Sequence, residues 1–241
     1  MRAEARHQLK QDRFSKVTLD AAERTVDWSS HHKLRLIVAC AAVVVIAAAG
    51  FFVWYTLNQQ DQSASLELNQ AIRTLDTPLR PAGTPAEPEN PTFTSATERA
   101  AEAHKQFQAI ADKYPHTHSA AFARYFVGLT DVDMGDTAGA IRDLQSVAGS
   151  RNEGLAALAN FALASVYRNQ GNNKQAITLY NQLAAKPTST VSKATAQLEL
   201  AATYEADQQP LEAQKVYRQI QKENPTNPAG QLAAEKLQGQ K

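Results

Sequence analysis

Four places along the chain bring together residue types that could do chemistry. His116-x-His118 offers two imidazoles to a metal ion from a loop. Two ligands fall short of the three or four that a zinc site needs, and no nearby Cys or acid cluster completes the set. Asp131-x-Asp133-x-Gly135-Asp136 begins like a calcium-binding loop. Its glycine comes one position early, and Arg142 occupies the twelfth position, where a bidentate Glu belongs. His31-His32 are adjacent, so on a helix they face apart and make a poor metal pair. Ile37-Val38-Ala39-Cys40 has the look of a lipoprotein cleavage site, but the long apolar stretch follows Cys40 instead of preceding it. Cys40, the single cysteine, therefore reads as a lipid-facing or helix-packing residue. No Gly-x-Ser-x-Gly, phosphate-binding loop, H-E-x-x-H or C-x-x-C occurs. The expectation is a chain with no catalytic residues, no metal and no cofactor.

What is regular in the sequence is packing. Gly135-Asp136 and Gly171-Asn172 each precede an Ala-Ile pair at the same offset, Ala140-Ile141 and Ala176-Ile177. Ala103 and Ala213 continue the series in both directions, and four residues beyond each alanine stands a large side chain: Phe107, Leu144, Tyr180, Tyr217. Such a period describes pairs of antiparallel helices joined by tight turns. The alanine lets two helices approach closely, and the large residue one turn later fills the space between them. On the first helix of each pair, Val127-Gly128, Leu163-Ala164 and Leu200-Ala201 set a large and a small residue side by side at the crossing. One pair cannot bury its apolar face alone, so the pairs must stack.

These positions resemble the tetratricopeptide repeat, whose pattern runs W-x2-L-G-x2-Y…A-x3-F…P. The copies here read Arg124, Val127, Gly128, Asp131, Ala140, Leu144, then Asn160, Leu163, Ala164, Tyr167, Ala176, Tyr180. The third reads Gln197, Leu200, Ala201, Tyr204, Ala213, Tyr217, Pro225. The leading Trp is missing from every copy. The resemblance implies an all-α fold, a helical-repeat solenoid over residues 95–241, closed by a capping helix from Asn227-Pro228. It also implies that first helices line a face for protein partners. By repeat phase, Tyr125, Asp133, Arg168, Asn169 and Glu205 mark the candidate protein-binding groove. A clamp of Lys, Arg and Asn for a C-terminal carboxylate is not supported, because Tyr125, Leu129, Ala162 and Glu199 hold the matching places.

Ahead of the repeats, Leu36–Tyr55 runs twenty residues without a charge. At ~1.5 Å per residue a helix of that length spans about 30 Å, the thickness of a bilayer's hydrocarbon core. Lys33 and Arg35 border it on one side, Trp54 and Tyr55 on the other, the residues favoured at membrane interfaces. The spans expected are a basic tail at 1–35, a transmembrane helix at 36–56, and a helix continuing from it at 57–76. A Pro-rich linker at 77–94 follows, holding Pro78, Pro81, Pro85, Pro88 and Pro91. Residues 57–76 would serve as the displaced first helix of the opening pair. Within the membrane helix, Ala47, Ala48 and Gly50 offer small residues to a packing partner.

Charge gives an orientation. Residues 1–35 carry eight Lys/Arg against five acids, while Arg73 is the only basic residue in the twenty after Tyr55. Basic residues stay on the cytoplasmic side, so the expectation is a cytoplasmic tail and an extracytoplasmic repeat domain. Beyond the anchor the chain is near neutral, with 17 Lys/Arg and 19 Asp/Glu, which argues against nucleic acid as a partner. The layout resembles the YfgM-type ancillary subunit of the bacterial Sec translocon. Locally the likeness lies just past the anchor, in Ser63-Ala64-Ser65-Leu66 and Gln70-Ala71-Ile72. That resemblance implies an inner-membrane scaffold of protein export, with the translocon, periplasmic chaperones or exported chains as partners. Neither nucleic acid nor a small-molecule substrate is expected. The alternative is a tethered repeat component of a cell-division, envelope-coordination or signalling complex.

Overall fold

The alanine and leucine periodicity predicts helices throughout, and the computed structural model, which describes residues 33–81 and 92–239, is all-α. Among the described residues the helices are α1 Lys33–Asp76, α2 Ala96–Lys113, α3 His118–Met134, α4 Thr137–Ala148 and α5 Glu153–Asn169. They continue with α6 Asn173–Ala185, α7 Lys193–Ala206, α8 Pro210–Glu223 and α9 Pro228–Gly239. The expectations for residues 1–32, His31-His32 included, and for Pro85, Pro88 and Pro91 lie outside the described residues.

The chain divides into two units at Thr56. In the first, the apolar side chains stand exposed along α1, Val43 at 65%, Ile46 at 71% and Phe52 at 67%. Phe51 stacks on Tyr55 at 6.5 Å between ring centroids and lies 5.8 Å from Trp54, which groups the aromatic rings at one end of the stretch. This helix is long and apolar enough to cross a membrane, a test that a signal sequence passes too.

In the second unit, helices are cut to length by their caps. Thr117, Asp136, Asn152 and Ser192 each accept a hydrogen bond from the backbone N–H three residues on, opening α3, α4, α5 and α7. Ser95 does the same for α2, and Glu98 reaches back to accept from the Thr94 N–H at 2.8 Å. The turns inside the second and third helix pairs need a left-handed residue. Gly135 (φ +83°) and Gly171 (φ +77°) supply it. In the next pair the same place is held by Gln208, left-handed at φ 58°.

Packing follows the repeat. Ala103, Ala140, Ala176 and Ala213 are all fully buried, as are Phe107, Leu144 and Tyr180, with Tyr217 at 2%. Gly128 marks a close crossing of α3 and α4: a Cβ there would come within 2.8 Å of Leu144 Cγ. Ala64 and Ala71 of α1, with Leu68, Ile72 and Leu75 around them, share one core cluster with Phe107 and Ile110 of α2 and Val127 of α3. Polar contacts join the same helices. Glu67 accepts from Lys113 Nζ (2.7 Å) and the Tyr114 hydroxyl (2.8 Å), and Asp61 accepts from the Ser119 N–H (2.9 Å). Between α1 and α2 the proline-rich segment begins and ends at one point, where Leu79 and Phe93 form a parallel bridge and Arg80 N–H donates to Phe93 O.

Candidate protein-binding surface

Residues 57–76 of α1, with α3, α5 and α7, are the first helices of four successive pairs; α2, α4, α6 and α8 are the second helices, and α9 packs on α8. First helices also touch one another, α3 with α5 and α5 with α7, so their side chains make one continuous face.

Two regimes appear along that face. Toward α3 it is apolar. Tyr125 packs half-buried against Val147, Leu155 and Ala159 on one side and against Leu144 and Leu163 on the other, and burial pushes its hydroxyl pKa upward. Tyr125 is therefore cemented between two helix pairs. Toward α7 the face is polar. Arg168 Nη1 donates to Glu199 Oε2 at 2.5 Å, tying α5 to α7. Tyr217 is pushed up to about 12, by burial first and then by the charge of Glu205 and a hydrogen bond with it, with Glu199 adding to the effect. Tyr180 is also pushed up to about 12, by burial, with Arg168 opposing and Glu199 reinforcing. Arg168, Glu199, Tyr217 and Glu205 thus form a seam across α5, α7 and α8. Asp133 and Asn169 stand exposed at the C-terminal ends of α3 and α5. The structure brings Arg168 and Glu205 onto one seam, places Tyr125 in the packing between pairs, and leaves Asp133 and Asn169 to solvent. Glu199 escaped the sequence reading as a seam member; it stands on α7 six residues before Glu205, which itself lies one repeat beyond Arg168.

Of the residues singled out for chemistry, Asp131 and Asp136 serve the fold. Thr117 caps α3 between His116 and His118, both exposed. Asp136 caps α4, accepting from the Gly139 N–H at 2.9 Å, and Asp133 points to solvent. Asp131 turns inward at 3% exposure, and its Oδ1 lies 3.2 Å from His104 Nδ1. The same nitrogen lies 3.2 Å from Thr130 Oγ1. A hydroxyl–imidazole–carboxylate relay needs the acid and the hydroxyl on opposite ring nitrogens. Here both crowd one nitrogen, and the Thr130 hydroxyl lies 2.9 Å from the carbonyl oxygens of Phe126 and Val127, to which it donates. Burial pushes the Asp131 pKa up to about 6; the His104 interaction opposes this, while a hydrogen bond with Asp143 and the charges of Asp143 and Asp136 add to it. In the apolar helix, Ala47, Ala48 and Gly50 are exposed, and a Cβ on Gly50 would meet nothing within 4 Å.

Stacked antiparallel pairs, crossing at buried alanines and turning at left-handed residues, define a helical-repeat protein built to bind other proteins. The chain belongs to the family of the tetratricopeptide repeat-like domain, whose model matches residues 27–187, more than half of it, and a tetratricopeptide repeat model matches residues 195–227. No curated protein and no solved structure matches it.

Proposed function

We infer that the protein is a non-catalytic adaptor of protein export, held in the inner membrane by Leu36–Tyr55 with its repeat domain on the extracytoplasmic side. The observation that carries this reading is the span of the family match. It starts at residue 27, ahead of the apolar stretch, and runs on into the repeats, so one family model covers both the apolar stretch and the first helix pairs. A cleaved leader would not be expected inside a domain. The basic excess before the anchor supports a cytoplasmic tail, and the resemblance to the YfgM-type translocon subunit supplies the partners: the translocon, periplasmic chaperones or exported chains. In this reading Asp133, Asn169 and the Arg168–Glu199–Glu205 seam meet a protein partner on the first-helix face, with Tyr125 holding that face in shape. Ala47, Ala48 and Gly50 give the membrane helix a surface for a partner helix. Tethering raises effective concentration, and a gain of about 10²–10⁴ in avidity makes a weak binding face sufficient.

The test is purification of the full-length protein from mild detergent, with its partners identified by mass spectrometry. Translocon subunits and exported chains should be enriched, and replacing Leu36–Tyr55 by an unrelated membrane helix should lower the translocon yield. Recovery of soluble cytosolic regulators, with no export component, would instead favour the signalling assembly.

A further inference from the structure

The second helices carry a feature of their own. Three surface notches recur along the stack, of about 230, 460 and 440 Å3 in chain order. Each is bounded by the second helix of one pair and by both helices of the next. The register repeats: Ala111, Ala148 and Ala185 line the notches from the preceding second helix. Ser146, Gln182 and Gln219 line them from the following one. On the first helix the lining residue is Arg124, Asn160 or Gln197, the position where the repeat pattern calls for tryptophan. A polar residue at each of these places leaves a recess where an indole would otherwise fill the angle between helices.

The notch chemistry selects an occupant. In the two larger notches charge is balanced, Glu153 with Lys186 in one and Lys193 with Glu212 in the other. Lys193 and Glu212 are already paired with Glu223 and Lys215, so an ionic ligand finds no free counter-charge there. Beside these charges the polar lining is amide. Asn160 donates Nδ2 to Ala156 O (2.9 Å), Asn181 donates Nδ2 to Ile177 O (3.0 Å), and Gln219 donates Nε2 to Glu223 Oε1 (3.1 Å). Each bond pins the amide plane one turn along its own helix, and its carbonyl oxygen accepts no hydrogen bond among the described residues. A primary amide matches the peptide group, one donor and one acceptor against another. A row of such recesses at repeat spacing suits a ligand that is long, extended and read through its backbone.

We propose that this row of notches is a second binding site, distinct from the first-helix face, and that it takes an extended, unfolded polypeptide segment through its main-chain amides. The proposal rests on reading the repeats as a protein-binding scaffold and is independent of the translocon assignment. The probe is a reduced, carboxymethylated, fluorescently labelled protein that cannot refold, titrated by polarisation onto the full-length chain in lipid nanodiscs, with empty discs as blank. Native protein should bind it with little dependence on salt. Asn160→Trp, which fills the largest notch with the residue the family pattern prefers, should weaken binding about tenfold while melting at or above the native temperature. Gln182→Ala with Gln219→Ala, both exposed positions, should weaken it similarly and covers the case in which the tryptophan disturbs the fold. Lys174→Glu, at an exposed position outside both the notches and the Arg168 seam, should leave it unchanged. Absence of binding to native protein, undiminished binding to both notch variants, an equal loss in Lys174→Glu, or equal binding of the folded form of the probe would each overturn the proposal. None of these outcomes depends on whether export components co-purify, so the two readings fail separately.

Discussion

Asp131 is a carboxylate at 3% exposure, and its folded-state pKa of about 6 lies above that of the unfolded chain. Between the unfolded value of 3.8 and about 6 the folded protein holds a proton that the unfolded chain has released. Stability from this group therefore falls as pH rises through that window, and at neutral pH the buried charge is a net cost. Asp131→Asn should raise the melting temperature at pH 7.5, by roughly 1–2 kcal/mol of stability, with the gain vanishing below about pH 4. Thermal melts of both proteins at the two pH values check it; a pH-independent difference would refute the assignment. Gln208 is the complementary case, a backbone cost instead of a charge cost. A left-handed non-glycine residue costs about 1–2 kcal/mol, part of which glycine would return as chain entropy. Gln208→Gly should thus stabilise by about 0.5–1 kcal/mol, read from denaturant midpoints at unchanged slope.

At the scale of helices, the repeat was legible because close crossings tolerate few residue types. Ala103, Ala140, Ala176 and Ala213 announce the crossings, and Gly135 and Gly171 announce left-handed turns. The third turn hid its conformation behind a glutamine. The polar seams were not legible, because they depend on helix phase and crossing geometry across a repeat: Arg168 finds Glu199, His104 finds Asp131, and Glu67 finds Lys113 and Tyr114. The missing tryptophans could be seen in the sequence, but the recesses they leave could not. At this scale the sharpest prediction concerns Ala176, fully buried beside Tyr180 in the cluster that Leu200 of α7 completes. Ala176→Leu should cost roughly 1–3 kcal/mol through overpacking, and the loss should spread to α7 because neighbouring pairs share interfaces. Hydrogen exchange resolved by helix reads this directly; protection lost in α5 and α6 alone would show that the pairs are energetically independent.

For the whole molecule, the proposed function takes the apolar stretch of α1 as an anchor and the repeats as an extracytoplasmic scaffold. The apolar stretch Leu36–Tyr55 of α1, with Val43, Ile46, Phe51 and Phe52 exposed, is long and apolar enough to cross a bilayer. The most direct measurement is protease accessibility in intact spheroplasts, followed with antibodies to each end of the chain. The account predicts that added protease degrades residues 57–241 while a membrane-bound fragment carrying residues 1–35 survives until the membrane is opened. A repeat domain that stays protected in intact spheroplasts, or one recovered in a soluble fraction cut free of residues 36–56, would contradict it.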